Sequence, residues 1–168
     1  MPNDTIATLL RLGANTLFHR RRMFAATIGV VRNAGGRVHE IDCLTYEAFR
    51  LDMTRALRFA ENFGYEPWGG NLDALNDAFR EVDFVDASGV AFAFTRFDAL
   101  YASAERVAIA VIDILEGASR DHLVDGHRLI GLIQSDDPHI ELPPGGARTP
   151  LWNHSEAMLA HRLEGEQS

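Results

Sequence analysis

Residues 64–82 read Gly-Tyr-Glu-Pro-Trp-Gly-Gly-Asn-Leu-Asp-Ala-Leu-Asn-Asp-Ala-Phe-Arg-Glu-Val. The first half predicts a stiff loop, because Pro67 fixes one φ angle and the pair Gly69-Gly70 permits turns that other residues resist. The second half predicts a short helix that begins after the N-cap residue Asn71. Its apolar residues recur at spacings of three and four, as on a buried helix face: Leu72, Leu75, Phe79 and Val82. The opposite face carries Asp73, Asn76, Asp77 and Arg80.

Two carboxylates on the polar face, Asp73 and Asp77, stand one helical turn apart. The residues alone leave three interpretations open: a solvated helix face, a protein-binding surface, or a pair of groups for general acid–base catalysis. Trp68 has two interpretations as well. It is either a rigid contact residue of a binding surface or a lid on the core beneath the loop.

On the N-terminal side of this stretch, residues 4–22 carry a loose apolar stripe that predicts a helix closed by three consecutive arginines. Residues 26–31 and 37–41 are β-prone and predict two strands joined by a hairpin-like turn at residues 33–36. An alternative keeps only the second run as a strand and makes the first run the end of a long helix.

On the C-terminal side, strands again alternate with helices. The predicted helices outside residues 64–82 are one capped by Thr45 at residues 46–60, a short one starting at 97–101, one at 103–117 ending at Gly117 and a terminal one at 155–163. The predicted strands are a buried one at 90–95 and a last one at 127–133. This order calls for parallel pairing. The sequence therefore predicts an α/β fold with a three-stranded parallel sheet covered by helices, an extra N-terminal helix or strand, and a C-terminal tail.

Length and composition bound the class of protein. The 168 residues suit one domain with additions, and 46% apolar residues suffice for a sizeable core. No apolar run is long enough to span a membrane, and the N-terminus lacks the pattern of a signal peptide. The single cysteine, Cys43, cannot form an internal disulfide, which fits a reducing compartment. These features predict a cytoplasmic protein.

Charge is unevenly distributed along the chain. The net charge is −8, and all sixteen basic residues are arginine. Residues 1–36 are net basic, whereas residues 37–134 hold nine arginines and seventeen acidic residues. An acidic main body argues against nucleic acid as the partner and is compatible with a basic protein.

Motifs for catalysis and cofactor binding are missing from the sequence. The seven histidines form no His-Glu-x-x-His pattern, and there is no Gly-x-Ser-x-Gly sequence. Without lysine the chain cannot form a Walker phosphate loop. We therefore expect no enzyme activity, no cofactor and no metal site.

The segment Trp68-Gly69-Gly70-Asn71-Leu72-Asp73-Ala74-Leu75-Asn76-Asp77-Ala78-Phe79 closely resembles the signature of the barstar family. That signature reads aromatic, Gly, any residue, Asn-Leu-Asp-Ala-Leu, any residue, Asp-Ala, apolar. The order of elements extends the resemblance to residues 37–134. Residues 1–36 then form an N-terminal extension, and residues 135–168 form a C-terminal linker and short helix.

The resemblance implies a non-catalytic inhibitor that blocks the active site of a basic ribonuclease or ribonuclease-type toxin. In the family, the loop and the following helix are the surface that enters the ribonuclease. The partner-binding residues that it implies here are Trp68, Gly69, Asn71, Leu72, Asp73, Asn76 and Asp77. A later acidic contact of the family would fall on Asp113 or Glu116.

The chain also departs from the family pattern. Asn76 and Pro67 stand where aromatic residues are expected, although Tyr65 could take the latter place in space. An alternative function is therefore an interaction or regulatory module of the same fold that binds a non-ribonuclease partner. Residues 1–30 have three possible roles: a weak homo-oligomer contact, an extra layer on the sheet, or a membrane-surface helix.

Overall fold

The computed structural model of the protein describes residues 15–64, 66–143 and 151–152. Its strands are β1 (Thr16–His19), β2 (Arg37–Asp42), β3 (Val90–Thr95), β4 (Leu129–Gln134) and β5 (Leu151–Trp152). Its helices are α1 (Arg21–Asn33), α2 (Tyr46–Ala56), α3 (Phe59–Phe63), α4 (Leu72–Arg80), α5 (Phe97–Ser103) and α6 (Glu105–Val124).

The strands form one parallel sheet in the order β2-β3-β4-β1-β5. The predicted α/β architecture with a parallel sheet is confirmed, but the prediction of three strands is wrong. β1 extends the sheet beyond β4 with four residues, and β5 adds two more. A strand as short as β1 has too few residues to show a period of two, so its sequence does not distinguish it from a helix.

The N-terminal prediction needs a second correction. Residues 16–19, predicted to be helical, form β1, while residues 1–14 lie outside the described part of the chain. Residues 26–31, predicted to be a strand, belong to α1, so there is no hairpin before β2. The alternative with a helix here is the correct one, although that helix begins only at Arg21. Tertiary packing overrides the β propensity of this run.

Helices cover both faces of the sheet. Phe24, Ile28 and Val31 of α1 pack against one face, where they meet the alanines of β3. Phe92 and Phe94 of the same strand point to the other face and enter the larger core under α2 to α6. Burial on both faces explains why β3 is a continuous apolar run, as predicted. Within residues 15–30, β1 extends the sheet itself, and the part of α1 up to residue 30 forms the extra layer that was one of the three roles considered for residues 1–30.

Helix caps and ends agree only partly with prediction. Thr45 caps α2 as predicted, because its hydroxyl accepts the backbone N–H of Ala48 at 3.1 Å. The helix predicted to stop at Gly117 instead continues to Val124. The predicted terminal helix at residues 155–163 lies outside the described residues. None of the helices in the described ranges combines the length and hydropathy needed to cross a bilayer.

His19, at the end of β1, is fully buried with its ring 6.0 Å from that of Phe24. Neither ring nitrogen reaches a hydrogen-bond partner in the described structure. Burial lowers the pKa of His19 from 6.5 to about 4. The backbone groups of Leu17 and Ile133 raise this pKa by a smaller amount. The folded state therefore favours the neutral ring.

This lowered pKa predicts sensitivity to acid. Because the folded state binds the proton less well than the unfolded state, His19 destabilises the fold as the pH drops below 6.5. Between pH 7 and pH 5 its contribution is about 2 kcal/mol. Urea unfolding at both pH values should show that His19→Phe loses less stability than wild type by this amount. His139→Phe, at an exposed histidine, is the control, and equal losses in wild type and His19→Phe would contradict the prediction.

Candidate functional site

Helix α4 is built as its sequence predicts. The side chain of Asn71 caps it by accepting the backbone N–H groups of Asp73 at 2.9 Å and Ala74 at 3.2 Å. Leu75 and Phe79 are fully buried against the sheet. At the other end, the Phe79 carbonyl oxygen lies 2.8 Å from Nε2 of His122 on α6. The helix is thus held at both ends and along its apolar face.

The opposite face of α4 is open to solvent. Asp73 and Asp77 are exposed, and Asn76 is half-buried. Among the residues that the structure describes, neither carboxylate forms an ion pair. A cation that approaches this face would therefore have no internal partner to displace.

Trp68, a predicted contact residue, has no exposed surface. Its ring packs edge-on against Phe49 at 6.2 Å and lies 6.4 Å from the ring of Phe59. Its indole N–H donates to the Asn71 carbonyl oxygen at 2.8 Å, which ties the loop to the start of α4. Of the two interpretations of Trp68, its burial supports the second, in which the residue is a lid on the core beneath the loop. Trp68 can thus shape the surface only from beneath.

Two residues of α2 hold the loop, and the sequence patterns did not identify either. The buried Thr54 hydroxyl accepts the backbone N–H of Trp68 at 2.8 Å and donates to the Arg50 carbonyl oxygen at 2.7 Å. The Arg50 guanidinium lies 3.4 Å from the Trp68 carbonyl oxygen and bonds to Glu47. Threonine and arginine on a helix give no local signal of such contacts, since their partners are 14 to 18 residues away.

The two glycines of the loop differ in what they allow. Gly69 is exposed, and a Cβ added there would meet no atom within 4 Å. Gly70 has a φ of +93°, and a Cβ there would lie 2.8 Å from the Tyr46 hydroxyl. Gly70 is therefore required by both backbone conformation and space.

This difference predicts unequal effects of alanine at neighbouring positions. Gly70→Ala should lower the free energy of unfolding by about 1–2 kcal/mol, because L residues are strained in this conformation. Gly69→Ala, the matched control, should change it by less than about 0.5 kcal/mol. Urea unfolding followed by circular dichroism measures both, and equal values would contradict the prediction.

The structure separates the two candidates for the later acidic contact. Glu116 is 3% exposed, and its carboxylate accepts the Thr16 hydroxyl at 2.6 Å and the Asn15 amide at 3.0 Å. It fastens β1 to α6 and has no free surface. Asp113 is exposed on α6, which packs against α4. Only Asp113 is therefore accessible to a partner.

The remaining predicted site residues divide between surface and core. Asn71 is exposed at the start of α4, whereas Leu72 is half-buried and packs against the core. Tyr65 lies outside the described residues. In the described part of the chain, no three His, Cys, Asp or Glu side chains converge as metal ligands. Burial raises the pKa of the Cys43 thiol well above its usual value, and nearby aspartates add to the effect.

The geometry is thus an exposed, rigidly held acidic helix face next to a loop anchored by a buried tryptophan. The family model Barstar (barnase inhibitor) matches residues 37–134, which is more than half of the chain. No curated protein and no solved structure matches the chain. The matched segment contains the loop, α4 and three strands of the sheet. The chain belongs to the barstar (barnase inhibitor) family, whose members are inhibitors rather than enzymes.

Proposed function

We propose that this chain is a non-catalytic protein inhibitor of a basic ribonuclease or ribonuclease-type toxin, which it blocks with α4 and the preceding loop. The observation that carries the proposal is the pair of exposed carboxylates of Asp73 and Asp77 within the family segment, which form no ion pair with any residue that the structure describes. Such an inhibitor would act as an immunity protein for the cell that makes it.

The physical basis is mimicry of RNA phosphates. A ribonuclease binds phosphate through arginine, lysine and histidine side chains, and carboxylates held on a helix can make charge-assisted hydrogen bonds with the same groups. The N-cap Asn71 and the contact between α6 and Phe79 hold α4 before binding, so little ordering is needed on association. The acidic main body would also steer a basic partner towards this face.

The proposed interface assigns different roles to the predicted residues. Asp73 and Asp77 face the cations of the partner, with Asp113 as the later acidic contact. Gly69, Asn71 and Asn76 complete the contact surface. Trp68 and Leu72 support it from below, because they are buried or half-buried.

The testing experiment is capture of the partner by the immobilised chain, at low salt, from the lysate and secreted fraction of the producing organism. The comparison is wild type against Asp73→Ala/Asp77→Ala. The matched control is Asp121→Ala/Asp125→Ala, which removes two exposed carboxylates at the same sequence spacing, one on α6 and one at the residue that ends it. We expect wild type and control to retain a basic protein whose RNA cleavage stops on adding wild type. Retention of the same protein by the Asp73→Ala/Asp77→Ala variant would overturn the proposal.

The alternative of a regulatory module on the same fold predicts an exposed apolar patch beside residues 1–30. The exposed large apolar side chains of the described residues are Leu44, Val85, Leu123 and Val124. None of them belongs to residues 15–30, so this observation does not favour the alternative. The catalytic interpretation of Asp73 and Asp77 requires an enclosed site, whereas both residues lie on an exposed helix face.

A further inference from the structure

A pocket of about 300 Å³ lies at the end of α4 remote from Asp73. It is bounded by the edge strand β2, the turn between α2 and α3, and the residues that follow α4. Leu57, which is 3% exposed, and the half-buried Val82 give it apolar walls. Its volume is at the lower end of the range for small-molecule sites.

Three cationic side chains line the pocket, although the chain as a whole is acidic. They are Arg37, Arg55 and Arg58. The Arg37 guanidinium is fixed by the carbonyl oxygens of Asp83 and Val85. The other two make only long contacts: Arg55 lies 3.4 Å from Asp52, and the atoms of Arg58 lie 3.9–4.0 Å from their nearest carboxylates. Their N–H groups can therefore still bind an anion.

The lining of the pocket also carries two carboxylates, Glu81 and Asp83. Among the described residues, Glu81 forms no ion pair. One carboxylate oxygen of Asp83 lies 3.9 Å from Arg58, and the other accepts the backbone N–H of Val85 at 2.8 Å. His39 also lines the pocket, and burial and then the charge of Arg37 lower its pKa. Its neutral ring offers one donor and one acceptor. The pocket thus combines groups for an anion with acceptors for hydroxyl groups.

Arg58 is held in an unfavourable backbone conformation. Its φ of 53° and ψ of 50° lie in the left-handed region, which glycine and asparagine tolerate better. It also precedes α3 as N-cap, yet its side chain makes no capping hydrogen bond. Strained residues of this kind concentrate at functional sites. The strain and the nearly free guanidinium thus coincide at one residue of the pocket.

We propose that this pocket binds a small phosphorylated polyol, such as a sugar phosphate. The phosphate would bind Arg55 and Arg58, with Arg37 adding positive charge, and the hydroxyl groups would donate to Glu81 and Asp83. Guanidinium groups suit phosphate because their N–H groups match its oxygens in pairs. The two carboxylates disfavour a ligand that carries a second anionic group.

Titration of the full chain with ribose 5-phosphate tests the proposal by calorimetry and by ¹H–¹⁵N spectra. We expect saturable binding of one equivalent, with the largest shifts at residues lining the pocket. Inorganic phosphate should bind at least about tenfold more weakly, because it lacks the hydroxyl contacts. Ribose without a phosphate group should not saturate the pocket. Glu81→Gln should weaken the binding of ribose 5-phosphate but not the binding of inorganic phosphate.

Arg58→Asn separates binding from stability. Asparagine suits the left-handed conformation, so the melting temperature should stay equal or rise, while the Kd for ribose 5-phosphate should increase at least about tenfold. Arg106→Asn, at an exposed arginine of α6, is the control and should keep the Kd within about twofold. No saturation by about 10 mM, or an unchanged Kd in Arg58→Asn, would overturn the site. Equal affinity for inorganic phosphate and ribose 5-phosphate would overturn the proposal that the ligand is a polyol.

Discussion

Replacing Trp68 with alanine should lower the free energy of unfolding by about 3–5 kcal/mol. The side chain has no exposed surface, and its removal leaves a cavity between Phe49 and Phe59. The Asn71 carbonyl oxygen also loses its indole donor, so the junction of loop and α4 loosens. Urea unfolding monitored by far-ultraviolet circular dichroism measures the change.

The same substitution distinguishes a core residue from a surface contact. If Trp68 were an exposed interface residue, alanine would change stability by about 0.5 kcal/mol or less and affect binding alone. Leu44→Ala, at a large side chain that is 50% exposed, is the control and should cost less than about 1 kcal/mol. A Trp68→Ala protein as stable as the Leu44→Ala protein would contradict the burial of the indole.

Replacing Asp77 with alanine should weaken binding of the proposed ribonuclease partner by about 2–5 kcal/mol, mainly through faster dissociation. This range is the cost of leaving a buried cation of the partner unpaired, and the barnase–barstar complex is itself a standard source for such values. Since Asp77 is exposed and forms no ion pair within the described residues, stability should change by only about 0.5 kcal/mol.

Two further variants make the Asp77 result specific. Asp77→Asn keeps the shape of the side chain and removes the charge, so it should lose most of the same affinity. Asp121→Ala removes an exposed carboxylate from α6 and should alter mainly the salt-dependent association rate. Surface plasmon resonance with the captured partner gives both rates. Unfolding of the Asp77→Ala protein would show that the residue is structural and remove it from the interface.

Local sequence patterns were sufficient for α4 and the three strands of the family segment. The cap Asn71, the buried pair Leu75 and Phe79, and the exposed pair Asp73 and Asp77 all follow from residues within two helical turns of each other. Strand β3 could be predicted because burial on both faces leaves an uninterrupted apolar run.

Local patterns gave wrong predictions where the local propensity of a segment and its tertiary packing favour different structures. Residues 26–31 have a high β propensity, yet Ile28 and Val31 belong to the helix face that covers the sheet. Gly117 resembles a helix end, but the packing of α6 against β4 carries the helix past it. The free energy that a helix loses at single residues of low helix propensity is smaller than the free energy gained by burying a whole helix face.

The amino-acid sequence by itself determined the acidic helix face, its cap and the family to which the chain belongs. All of these depend on neighbours along the chain. Only the tertiary structure decided that Trp68 lies beneath the surface, that Glu116 fastens β1 while Asp113 stays free, and that Arg37 and Arg58 meet Asp83 at one pocket. These arrangements depend on contacts between residues far apart in sequence, which no local spacing encodes.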